Sequence, residues 1–166
     1  MRFWNAARVF FALWYLFGWT THLWMVTQRP QDYALFGRTA LFPWFRDLWL
    51  ALVQPNIIAF ASLLIVFELS VGILMLSRGR WVKLALVGSI TFNLFLIQLG
   101  LTTVTSDPWV DFMWNRLPNI LFAAAQVPLL FVDYQQSLPE VVRGGGGSIK
   151  SKGHLTSDQQ GQLDGG

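Results

Sequence analysis

Hydrophobic positions along this chain come in long unbroken runs separated by short polar punctuation, a pattern of buried or lipid-facing helices rather than strands. The first run covers residues 3–26, with Arg2 and Arg8 at its start. It is long for the apolar part of a signal peptide and no small-x-small cleavage site follows, so it reads as a membrane span. Gln28-Arg29-Pro30-Gln31-Asp32 is turn-forming. Residues 42–53 are too short and interrupted to span by themselves. Phe45, Leu48, Trp49 and Leu52 fall on one helical stripe, with Arg46 and Asp47 off it and Pro43 in the first turn. This segment predicts a short amphipathic helix lying in the membrane interface; the alternative is the extended start of the next span. Spans follow at residues 56–76, 81–101 and 113–133, the last with Pro118 and Pro128 inside it. The fold class expected is an all-α membrane protein: a four-transmembrane-helix bundle with an interfacial helix between spans 1 and 2.

From Ser137 the pattern ends. Gly144-Gly145-Gly146-Gly147-Ser148 and the polar residues after it predict a flexible tail. The organisation expected is a transmembrane domain over 1–136 and a tail over 137–166, in part an inserted linker or a natural low-complexity segment. With the N-terminus inside, one side of the membrane holds Arg2, Arg8, Arg78, Arg80, Lys83, Arg143, Lys150 and Lys152. The other holds Arg29, Arg38, Arg46 and Arg116. The bias predicts a multi-pass protein of a bacterial-type inner membrane with both termini cytoplasmic.

Composition strengthens this picture. Charged residues are 13% of the 166, against about 25% in soluble domains, and nine Trp and fourteen Phe suit lipid and headgroup contact. The net charge of +3 is dispersed near span ends, so it speaks for topology and against nucleic-acid binding. With no cysteine, thiol redox, iron–sulfur and thiolate-zinc chemistry are excluded within the chain.

Polar groups at membrane depth are the candidates for function. Glu68 lies about eight residues, or roughly 12 Å, from the end of the second span, on a face with Ala61 and Gly72. Arg8, one turn into the first span, is its expected partner and shares a face with Phe11, Tyr15, Gly18 and His22. Such an ion pair either fixes the register of two helices, the favoured reading because no second acid forms a relay, or serves as a proton or ligand site. Ala85, Ser89, Asn93 and Gly100 share a face of the third span, with Gln98 near its end; Arg116, Asn119, Ala123 and Gln126 lie along the fourth. Each is commonly interhelical hydrogen-bond glue. Together, His22, Asn93, Gln98, Arg116, Asn119 and Gln126 would crowd the outer half of the bundle, as a satisfied core or as a polar pocket able to hold a quinone headgroup. His22 lacks a second histidine within the spans for haem, since His154 is in the tail. No metal-ligand spacing, phosphate loop, nucleophile elbow or catalytic triad is present. No internal repeat of the kind transporters carry is evident.

Phe67-Glu68-Leu69-Ser70-Val71-Gly72-Ile73-Leu74-Met75-Leu76, followed by Arg78-Gly79-Arg80, resembles the DoxX-like family, in which an acidic residue, an apolar run with a glycine and a basic turn join the second and third spans. Arg8, Gly18 and His22 in the first span look similar too, so the resemblance covers residues 6–101. It implies a four-helix membrane fold and association with other membrane or peripheral subunits of a redox system. It points to a non-catalytic anchor or accessory subunit; the alternative is a quinone- or lipid-binding oxidoreductase using the polar pocket. A sterol-isomerase-like family is a weaker likeness, since its pattern wants further membrane-embedded acids.

Overall fold

Two of the prolines that interrupt the apolar runs reshape their helices instead of ending them. A proline has no N–H for the carbonyl four residues back and its ring clashes with that carbonyl, so the backbone must widen there or break. Pro55 and Pro118 both follow a π-helical turn, at Trp49–Val53 and Phe112–Arg116. Each turn is centred on the residue four before its proline, Ala51 and Trp114. The helices survive with one wide turn apiece.

The structure, a computed structural model, describes residues 2–144. The described residues are all-helical. Helix α1 is Arg2–Gln28; a 3₁₀ turn at Pro30–Asp32 leads into α2, Tyr33–Arg38. Helix α3, Pro43–Leu48, continues through the π turn and a 3₁₀ turn at Gln54–Asn56 into α4, Ile57–Leu76. Helix α5 is Arg80–Leu99. Then α6, Pro108–Asp111, the second π turn, α7, Leu117–Gln126, and a 3₁₀ turn at Val127–Phe131 form one helical run. Helix α8 is Leu138–Gly144.

Three helical stretches are long and apolar enough to cross a bilayer: Phe3–Gln28, Pro43–Leu76 and Arg80–Leu99. The chain is therefore a membrane protein. The second stretch differs from expectation. Pro43 starts a helix as predicted, with Phe42 extended before it, but that helix is not separate. It runs on through the two irregular turns as a 34-residue whole.

Helix α1 packs most extensively on α4, and α5 sits against both α4 and α7. The α1–α4 approach depends on Gly72, where a Cβ would lie 2.8 Å from Leu16 Cγ and 3.0 Å from the Leu16 backbone nitrogen. No side chain fits between these backbones. Burial follows helical spacing: Arg8, Phe11, Ala12 and Tyr15 on α1; Val82, Ala85, Leu86, Ser89 and Asn93 on α5. These faces close on Val71, Met75, Leu129 and Tyr134 to form the main core. A smaller cluster gathers Tyr33, Ile57 and Ala61.

The segment from Ser137 opens on helix α8. Glu140 accepts a hydrogen bond from the Ser137 amide at 2.7 Å, half of a capping box, and Leu138 is buried. Residues 145–166, with the Gly-Ser stretch beyond Gly144, Lys150, Lys152 and His154, lie outside the described residues.

Candidate functional site: a polar-lined cavity beside Glu68

Three buried polar clusters organise the bundle, and their side-chain chemistry separates closure from binding. At the end with the α4–α5 turn, Arg8 is almost fully buried but does not meet Glu68. Its guanidinium donates to the carbonyls of Met75, Ser77 and Gln136, and lies 5.0 Å from the centre of the Tyr134 ring. The expected Arg8–Glu68 pair is corrected by this geometry. Met75 lies in the last turn of α4 and Ser77 caps it; carbonyls there lack helical partners, and a guanidinium fork satisfies several at once. Gly79, at φ 56°, donates to the Tyr134 carbonyl beside it.

At the opposite end Arg116 is buried and fully engaged. It grips both Asp111 carboxylate oxygens at 3.1 Å and donates to the Ile97 and Thr39 carbonyls. Asn115 next to it donates to Asp111 at 2.7 Å and to the Thr103 carbonyl, and accepts from the amides of Leu101 and Thr103. Gly100, at φ 86°, lets the loop pass: a Cβ there would sit 2.6 Å from Thr39 Oγ1 and 2.9 Å from Arg116 Nη1. This knot ties α2, α5 and the second π turn together.

Between the two lies the third cluster. Glu68 on α4 is 5% exposed and its carboxylate faces Gly18 on α1. One turn on from Gly18, His22 brings Nε2 to 3.5 Å from Glu68 Oε1. His22 Nδ1 is 3.0 Å from the Tyr33 hydroxyl. Tyr33 is held in place because Trp49, in the first π turn, donates its indole N–H to the Tyr33 carbonyl at 2.8 Å. Gly37 makes that possible, since a Cβ there would meet the Trp49 ring at 2.5 Å. Burial, and secondarily the nearby Glu68 charge, push the Tyr33 hydroxyl up to about 12, so it remains a proton donor at neutral pH. Phenol, imidazole and carboxylate thus stand in a line from α2 through α1 to α4.

This line borders a cavity of about 440 Å³. Asn93 lines it, donating to the Tyr15 hydroxyl at 3.2 Å, and Tyr15 shares a 2.6 Å hydrogen bond with Ser89. Asn119 lines it from α7, and Trp14, Phe92 and Phe122 supply apolar wall. Tyr33, Trp49, Leu64, Phe92 and Phe95 also border a second, nearly wholly apolar groove of about 750 Å³ between the α3–α4 run and α5. A largely apolar chamber that carries a few polar groups and a nearly wholly apolar groove therefore adjoin.

Comparison with known protein families, curated proteins and solved structures finds no match to this chain. The site must be read from its own chemistry.

Of the six residues expected to form a pocket, the cavity collects His22, Asn93 and Asn119. The other three lie elsewhere. Gln98 is exposed and contributes only its carbonyl, which accepts from Leu41. Arg116 is consumed in the end knot. Gln126 is buried but donates to the Phe122 carbonyl within its own helix. Tyr33 and Tyr15 line the cavity as well, outside the six predicted residues. Tyr15 stood on the predicted Arg8–His22 face and could have been found there; Tyr33, in a polar turn, carried no such signal. Among the described residues no group of three or more His, Asp or Glu is placed to hold a metal ion.

Proposed function

We propose that this protein binds an amphipathic, lipid-soluble ligand of the isoprenoid-quinone kind inside the membrane and serves a partner redox enzyme as a non-catalytic, DoxX-like accessory subunit. The observation that carries the ligand is the junction of a chamber bearing Glu68, His22, Asn93 and Asn119 with a larger apolar groove. A polar headgroup suits the first and a hydrocarbon tail the second. The accessory role is supported by the likeness around Glu68 to Arg80 and by the lack of a complete catalytic set around Tyr33, His22 and Glu68.

Four spans accompany this reading. The fourth is the helical run from Pro108 to Phe131, roughly 36 Å long at 1.5 Å per residue. Its low hydropathy comes from Asn115, Arg116, Asn119 and Gln126, all of which are buried in the bundle. Both termini are cytoplasmic in a bacterial-type inner membrane. The α3–α4 run, roughly 50 Å long, exceeds a hydrocarbon core of about 30 Å; its α3 end, with Arg46 and Asp47 exposed, rests in the interface.

Lipid extraction of the protein purified in mild detergent, followed by mass spectrometry, tests the ligand; recovery of no isoprenoid quinone above the level of a control membrane protein rejects it. Reporter fusions after Arg80 and Gln135 should read cytoplasmic, and one after Asp107 external.

A further inference from the structure

Four buried side-chain atoms lack a hydrogen-bond partner among the described residues, and two of them, Glu68 Oε2 and Asn119 Nδ2, have opposite hydrogen-bonding character. They belong to different helices, α4 and α7, and both residues line the same chamber. Buried polar atoms are nearly always satisfied, and an orphan costs about 1–3 kcal/mol. Two complementary orphans at one cavity describe the group that would fill it. Glu68 Oε2 requires a donor. Asn119 Nδ2 requires an acceptor.

With a proton on Nε2 or on Oε1, Oε2 keeps its lone pairs for an outside donor; a proton on Oε2 itself would make it a donor and turn the preference towards a ketone. A ketone oxygen has no hydrogen to offer and would set its lone pairs against those of Oε2. An ammonium offers donors but nothing for Asn119. A hydroxyl both donates and accepts.

We infer that the ligand's headgroup bears a hydroxyl directed at Glu68, so that the site selects the hydroquinone over the quinone form of a lipid-soluble carrier. This rests on the amphipathic-ligand reading and adds the headgroup's protonation state to it. Glu68 and Asn119 are specificity-determining residues: Glu68 reads the hydrogen, and Asn119 holds an oxygen of either form. The same chemistry would admit a long-chain lipid alcohol.

The test measures binding of a decyl-substituted hydroquinone, the matching quinone and farnesol to the full chain in lipid nanodiscs, under anaerobic conditions. The hydroquinone should bind about ten-fold tighter than the quinone or more, the worth of one hydrogen bond to a carboxylate. Glu68→Gln, whose amide can turn a donor to the ligand, should erase or invert the ratio, and Asn119→Leu should weaken both forms alike. Farnesol binding as tightly as the hydroquinone would assign the hydroxyl to a lipid alcohol, and weaker binding to the hydroquinone; either agrees with the inference. Equal affinity for the two redox forms, or tighter binding of the quinone, overturns the inference while the amphipathic-ligand reading stands. Binding of none of the three removes both. The wild-type comparison needs no variant, so misfolding of Glu68→Gln leaves the inference open to refutation.

Discussion

Glu68 faces His22, with 3.5 Å between Oε1 and Nε2, while Arg8 on the same helix as His22 turns to three backbone carbonyls. The two intramembrane charges thus belong to different clusters separated along α1. Glu68 addresses a cavity, and Arg8 closes the end of a helix. The distinction can be measured, because groups that share no partner contribute independently to stability.

A double-mutant cycle on Arg8 and Glu68 should be additive within about 0.5 kcal/mol. Arg8→Gln should cost about 2–4 kcal/mol, because it strips donors from the Met75, Ser77 and Gln136 carbonyls at a buried helix end. Glu68→Gln should cost less, about 1 kcal/mol, since an amide can still meet His22. Chemical denaturation in a fixed detergent reads both; a coupling above 1 kcal/mol would mean that the two side chains meet after all.

The cost of a charge in lipid made Glu68 and Arg8 visible as sequence features, and the 3.6-residue period placed Arg8, Phe11 and Tyr15 on the face that is buried. Their partners were hidden. Arg8 bonds backbone carbonyls, and a carbonyl at a helix end carries no residue-type signal. Tyr33 reaches His22 only because α2 exists, and six residues are too few for a periodicity. The continuity of α3 with α4 was obscured by Pro55, which reads as a helix stop unless the π turn that accommodates it is foreseen. The fourth helical run shows the same tension: the polar residues that weaken its hydropathy are the ones the bundle buries.

Removing the Tyr33 hydroxyl should alter the alkaline limb of the pH profile. Its folded pKa of about 12 lies above the ordinary 10 of a tyrosine, so folding favours the neutral phenol. That contribution is complete below pH 10 and is lost as the pH rises towards 12. Tyr33→Phe should flatten the decline in thermal stability between those values and remove one late-titrating group from the tyrosinate absorbance. A titration near pH 10 lost on substitution would show that the hydroxyl is open to solvent.

Gly72 should tolerate no side chain. With Leu16 backbone 3.0 Å from the position of a Cβ, even Ala must push α1 away from α4, and Gly72→Val more so. Overpacking of this kind costs about 1–3 kcal/mol. Because α1 also carries His22, separation of the helices would lengthen its contact with Glu68. Thermal unfolding should fall in the order Gly, Ala, Val, with ligand affinity declining in parallel. Retention of stability in Gly72→Val would refute the close approach of the helices.

Arg116→Lys tests whether charge or shape holds the knot around Asp111. Charge alone would be preserved by lysine, and a single contact to Asp111 would survive. Arg116 instead uses Nε and Nη2 as a fork on the two Asp111 oxygens while Nη1 reaches the Ile97 carbonyl and Nη2 that of Thr39. An ammonium has three donors at one point and cannot span those acceptors. The carbonyls it abandons lie beside Gly100, against which Thr39 and Arg116 are closely packed. The substitution should therefore cost about 2–3 kcal/mol, close to that of removing one member of a buried charged hydrogen-bond network. Hydrogen exchange should show where the loss falls: amides of Leu101 and Thr103, which bond to Asn115, should lose protection, while those around Met75 at the far end should not. Full stability in Arg116→Lys would reduce the knot to a simple ion pair with Asp111, and uniform deprotection would show that the two ends of the bundle unfold as one.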